Sequence, residues 1–326
     1  MLLLVIIEHV GIIPSYLRDS LYCVGTAAMP MYFALSGFLF SDKKAPSSFY
    51  WGKVRTLLIP YLAISFLLVL FDPNIYSNGG SEYFKSEIYR IVVQGVSASK
   101  GTPMWFVLSL FIICCLFYIV VKLSSNLAFL FAFAIVTAIT ATALSSAHMS
   151  LILNLESVIA AMPFFIFGYI VKQKNLQHVF FITGGGKRMQ FGLAILAFII
   201  SVMMYYLLPQ GIMFHANIPN ILSFYGTGLA FIVAFYALFI SCSIKTYFLR
   251  FIALNGMTFL GFHAYVQLGV SAVCEIRGIS AHLNFYLSLA SSLIFCYILS
   301  LILNKYAPHI VGKREAKLFK KTICNL

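Results

Sequence analysis

Apolar runs long enough to cross a bilayer follow one another along the whole chain, each parted from the next by a short polar segment. A bilayer core takes about 20 apolar residues per helix. On that measure ten spans are expected, near residues 1–13, 21–40, 57–71, 103–121, 127–144, 153–171, 191–208, 222–241, 248–270 and 283–303. Run length argues for helices, since barrel strands alternate over about ten residues. The predicted fold is therefore all-α, a polytopic integral membrane helical bundle of about ten transmembrane helices.

The first run is short for a span. Only about 13 apolar residues precede Pro14, fewer than a crossing needs. The expectation is an N-terminally truncated first helix that begins upstream of Met1. No convincing cleavable signal peptide is present, because Met1–Ile7 lacks a basic flank and a small-residue cleavage site. No repeat, low-complexity tract or second domain interrupts the pattern, so residues 1–326 are read as one membrane domain. The absence of inverted halves speaks mildly against a secondary transporter.

Composition sharpens this picture. The chain is 61% hydrophobic and only 10% charged, whereas a soluble domain carries about 25% charged residues. The formal charge of +13 brings nucleic acid to mind, yet no basic helix or aromatic-basic patch of the required kind occurs. Sorting the basic residues by loop explains the excess better. One set of alternate loops plus the C-terminus holds 17 of the 22 Lys and Arg, while Arg18, Lys85, Arg90, Lys100 and Arg277 fall in the other. The positive-inside rule then places the first set, and both termini, in the cytoplasm. The tail Lys313–Lys321 is expected to lie against anionic membrane lipid. The seven Cys are scattered, mostly within apolar runs, with no paired or metal-type spacing.

Ionisable groups inside spans are costly and so are candidates for function. Glu8 and His9 stand in the first run, Glu156 opens the sixth and His263 lies in the ninth. A histidine in a low-dielectric site serves as a base near neutral pH, or simply as a buried hydrogen-bonding group. Glu8 either orients His9 or faces a loop; adjacent helical residues do not share a face. His263 is a second polar centre or a helix–helix hydrogen-bonding residue. Glu156 is a functional carboxylate or an interfacial one. Ser36, beside Gly37, reads more as close helix packing than as a nucleophile. Trp105 is an aromatic-belt anchor or a sugar-stacking platform. Lys43, Lys44, Lys53 and Arg55 are read as a short cytoplasmic loop ahead of Pro60-Tyr61, where proline breaks the backbone at the membrane face. They are positive-inside charges or a site for a polyanion such as the phosphates of coenzyme A.

In this order the pieces resemble the membrane acyltransferase 3 family, the bacterial O-acyltransferases of surface sugars, over nearly the whole chain. They are His9, the run Pro30-Met31-Tyr32-Phe33-Ala34-Leu35-Ser36-Gly37-Phe38-Leu39, and the basic stretch to Leu57-Leu58-Ile59-Pro60-Tyr61. Met104-Trp105-Phe106-Val107-Leu108, Met162 through Tyr169 and Gly256 through His263 complete the set. The length is similar to short single-domain members of the fucose 4-O-acetylase-like kind.

The resemblance implies transfer of an acyl group, usually acetyl, from a cytoplasmic acyl-CoA to a hydroxyl of a glycan or lipid-linked sugar at the bacterial inner membrane, without a metal. His9 would be the family's first-span histidine, with Glu8 beside it, deprotonating the acceptor or relaying the acyl group. Lys53 and Arg55, with Lys43 and Lys44, would hold acetyl-CoA (or another acyl-CoA). Trp105, His263, Glu156 and Ser36 would shape the acceptor side. The family's basic partner ten residues before that histidine has no counterpart among the eight residues preceding His9, and Gly52 and Thr56 stand where many members have Arg. A transporter or flippase of lipid-linked saccharides, and an inactive truncated paralogue, are the alternative readings.

Overall fold

The computed structural model describes residues 2–11, 13–77, 79–96, 102–175, 187–241 and 246–313. It is 82% helical, and among the described residues no strand forms. Eight helical stretches there are long and apolar enough to cross a membrane, and they fall on eight of the ten expected spans. The protein is a multi-pass membrane protein. Two expected spans remain. The first is only α1 (Leu2–Glu8), and the seventh, α10 (Lys187–Leu207), carries its apolar stretch over Phe191–Leu207. The Gly184–Gly186 loop, Lys100, Lys245 and the tail beyond Lys313 lie outside the described residues.

Three expected boundaries move, the first being that of the second span, which opens at Ser15. The third span starts well before residue 57: α4 (Pro46–Lys53) runs through a π-helical turn (Val54–Leu58) into α5 (Ile59–Leu70) as one 25-residue stretch. Pro46 sits at the start of α4 and Pro60 at the start of α5, positions where the missing N–H is tolerated. Pro60 therefore does not break the chain. The widened turn before it absorbs the missing hydrogen bond, and Ile59 donates to Val54 instead. The ninth span is split at Asn255 into α12 (Tyr247–Leu254) and α13 (Gly256–Ile276).

The chain forms two compact units. The first holds residues 20–44 and 112–246. Its helices include α3 (Ala28–Phe38), α8 (Leu127–Ser146), α9 (Leu155–Gln173), α10 and α11 (Ile221–Ser241). α3 and α9 touch backbone to backbone. A Cβ built on Gly37 would collide with the carbonyl of Phe165, and one on Gly168 with the carbonyl of Ala34. Lipid gives helices no hydrophobic reason to associate, so small residues that permit close approach supply the packing. The rings of Phe40, Phe117, Phe165 and Tyr169 then meet edge to face beside this contact.

The second unit holds residues 2–19, 45–111 and 247–326, and α13 is its hub. Gln267 of α13 donates to the Ile6 carbonyl of α1 at 2.9 Å and to Ser292 of α14 (Ala281–Tyr306) at 3.2 Å. Gly261 of α13 sits against Ile64 of α5, and the Tyr265 hydroxyl donates to the Phe71 carbonyl. Gln267 also explains how a seven-residue helix persists. The last carbonyls of any helix lack partners within it, and here Ile6 receives one from α13.

Candidate active site

His9 follows α1 directly, and its ring is held by its own backbone. Nδ1 donates to the Val5 carbonyl at 2.7 Å. A carbonyl only accepts, so Nδ1 carries the proton. His263, fully buried on α13, repeats the arrangement: Nδ1 donates to the Phe259 carbonyl at 2.6 Å. Its Nε2 is buried with no hydrogen-bond partner. The two rings meet at a centroid distance of 5.1 Å and an interplanar angle of 81°. Residues 254 apart in sequence thus form one dyad of imidazoles with the same tautomer. The ring of His9 is oriented at Nδ1 by Val5; Glu8 precedes it, half-buried, as the last residue of α1.

The basic residues divide. Lys53 ends α4 with its ammonium 5.6 Å from the Phe49 ring centre. Arg55 lies in the π-helical turn, half-buried, with a buried Nε that has no hydrogen-bond partner. Both belong to the same unit as the dyad and stand on a helix, which corrects the expected loop. The cause is local: Pro46 starts a helix whose mixed Ser, aromatic and Gly content reads as polar. Lys43 and Lys44 belong to the other unit and are exposed; the Lys44 carbonyl accepts from Tyr118 at 2.8 Å.

The remaining expected residues differ in setting. Trp105 shares the unit of the dyad, and is 9% exposed at the start of α7 (Met104–Leu123). That is too buried for a lipid-facing belt anchor, and it leaves little ring face for stacking. Ser36 lies half-buried on α3 beside the Gly37 contact, within the first unit. Glu156, also in the first unit, is buried, accepts from the Leu151 N–H at 3.0 Å and lies 2.9 Å from His215 Nδ1. His215 is a left-handed residue of the segment before α11. Glu156 thus ties together the chain entering α9 and a neighbouring loop. An apolar cavity of about 240 Å³ in the same unit is lined by Ala34, Phe38, Gly168, Ile200 and Tyr236 among others. It holds no acid or base suited to acyl transfer. Among the described residues no three His, Cys, Asp or Glu side chains are grouped to hold a metal.

Sequence reading missed the polar residues that tie this unit together. Gln267 fixes α1. Asn255 accepts at Oδ1 from Asn304 at 2.7 Å and from Lys313 at 2.6 Å. Lys313 is half-buried there, so this first residue of the expected lipid-contacting tail turns inward to an amide. Burial lowers its pKa from the usual lysine value. Amide side chains inside apolar spans were the available signal.

A bundle of membrane helices with paired imidazoles defines a class, multi-pass membrane proteins with polar groups packed among apolar helices. The sequence matches the family described as "Acyltransferase domain", of the acyltransferase 3 type, over residues 1–301. The chain belongs to this family and is a membrane acyltransferase. No curated protein and no solved structure matches it.

Proposed function

We propose that the protein is an O-acyltransferase that moves an acetyl group from acetyl-CoA to a hydroxyl of a cell-surface or lipid-linked sugar. It would do so at a bacterial inner membrane, with both termini in the cytoplasm. The observation that carries the reading is the dyad: a half-buried imidazole and a buried one, each donating Nδ1–H to a backbone carbonyl, in ring contact within one unit. Nε2 of His9 takes the proton of the acceptor hydroxyl. The hydroxyl oxygen attacks the thioester carbonyl carbon, the C–S bond breaks, and the departing thiolate recovers the proton from Nε2. The ester and free coenzyme A thiol balance the reaction. His263 lines the same site and accepts a hydrogen bond from the acceptor at its own Nε2. General-base help of this kind is worth about 10²–10⁴ in rate.

Arg55 and Lys53 support the donor assignment. A guanidinium with an unused buried N–H suits phosphate oxygens. The positive-inside pattern puts that end of the helix on the cytoplasmic face, where acyl-CoA is available. The test is chemical. Purified protein in lipid nanodiscs is given acetyl-CoA and a lipid-linked saccharide acceptor, and free thiol is measured. Thiol release that depends on acceptor is expected. Saccharide movement across the membrane with no thiol release would instead identify a transporter.

A further inference from the structure

At one end of the second unit, the break between α12 and α13 collects several polar groups that the dyad does not use. Asn255 stands at the N-terminal cap of α13, but its side chain does not cap the helix. Its Oδ1 accepts from Asn304 and Lys313, and its Nδ2 donates to the Phe251 carbonyl at 2.8 Å. The first N–H groups of α13 therefore lack a side-chain acceptor, and the helix dipole makes that end positive. Asn304 is 5% exposed, and its own Oδ1 has no partner. Thr258, one turn into α13 and 1% exposed, has an unpartnered hydroxyl. The Thr258 hydroxyl is thus a buried donor without an acceptor, which an anion at this end of α13 would supply.

The segment carrying Lys313 is seated by the π-helical turn. The short helix Pro308–Val311 packs against that turn and α5. Gly312 has φ +73°, and a Cβ there would come within 2.7 Å of the Thr56 carbonyl and 3.2 Å of the Pro60 ring. Only glycine brings the chain this close to the residue after Arg55. The Lys313 ammonium then hydrogen-bonds a neutral amide, and burial is what shifts its titration. His263 lies seven residues into α13 from Gly256, which is about 10 Å deeper along the helix.

We propose that Lys313, positioned by Asn255 and Asn304 at the N-terminus of α13, binds a phosphate of the acyl-CoA whose thioester reaches the His9–His263 dyad. This rests on the donor assignment above and extends it. Arg55 from the π-helical turn completes the anion site, and the positive end of α13 adds to it. The pantetheine arm then runs inward along α13 from the phosphates to the imidazoles. Asn255 Oδ1 accepts from both Asn304 and Lys313, so loss of the lysine leaves Asn255 paired.

The experiment compares wild type, Lys313→Gln and Lys313→Arg, each as the full chain in nanodiscs. Donors are acetyl-CoA and S-acetyl-N-acetylcysteamine, a thioester without phosphate. Lys313→Gln should raise KM for acetyl-CoA about tenfold or more, as loss of one charge-assisted contact does. The effect should fall on acetyl-CoA and spare the phosphate-free donor, and Lys313→Arg should recover most of it. Equal losses with both donors would mean a structural role and overturn the proposal. So would an unchanged KM for acetyl-CoA, which leaves the donor assignment standing. A defect that appears only when phosphatidylglycerol replaces phosphatidylcholine would assign the phosphate to a lipid headgroup, also against the proposal. Failure of wild type to use acetyl-CoA at all would refute the donor assignment itself, and this site with it.

Discussion

His263 presents its ring to His9 edge to face, centroids 5.1 Å apart, while each histidine donates Nδ1–H to the carbonyl four residues before it. The proposed chemistry uses Nε2 of each, the nitrogen not engaged with those carbonyls. Replacing His263 by Phe keeps a flat ring at the contact and removes the nitrogen. An orphaned buried polar atom disappears with it, so the fold should hold or gain slightly. We expect kcat/KM for the acceptor to fall about tenfold, as loss of one hydrogen bond does, with KM for acetyl-CoA within about twofold. Steady-state kinetics beside a melting curve in detergent checks this. Full activity in His263→Phe would reduce the residue to packing.

Gln267 fixes α1 by donating to the Ile6 carbonyl. In the proposed chemistry it is a positioning residue, acting on His9 through α1. Gln267→Leu should let α1 fray and misplace His9. The expected result is a drop in kcat of about tenfold or more, since a small misplacement of a reacting group is expensive. Hydrogen exchange should speed up across residues 2–10 and stay unchanged in α8. Unaltered exchange in α1 would show that other contacts hold it.

The Gly37 and Gly168 contacts set a stability prediction for the first unit. Gly37→Ala and Gly168→Ala each force a Cβ into a carbonyl of the facing helix. Overpacking of this sort costs about 1–3 kcal/mol, and both variants should melt earlier. Gly192→Ala on α10 is the control, because a Cβ there meets nothing within 4 Å. It should be neutral or stabilising, as Gly-to-Ala exchange within a helix gains about 1 kcal/mol. Equal melting of all three would refute the close contact.

Much of the fold was legible because lipid imposes length and apolarity on every span. Eight expected spans recur at nearly the expected places. The departures have particular causes. α4 is too mixed in composition to read as part of a span, so Lys53 and Arg55 looked like loop residues. Asn255 splits the ninth span through side-chain bonds to residues 304 and 313, which no local pattern reveals. The candidate site was legible as residue types but not as pairings. His9 and His263 stood out as polar groups in apolar runs, yet their contact depends on α1 lying against α13. Gln267 creates that relation, and an isolated Gln in an apolar helix does not announce its partner. Glu156 stood out on the same ground, and its partner His215 came from a loop that sequence reading passed over.

Acetyl transfer by His9→Ala measures the central claim most directly. With acetyl-CoA and saccharide acceptor supplied together, wild type should release free thiol and form acetylated saccharide in equal amounts. His9→Ala, present in the membrane at the same level and with the same melting temperature, should form neither above background. Wild-type acetylation by that variant would contradict the account and remove His9 from the chemistry.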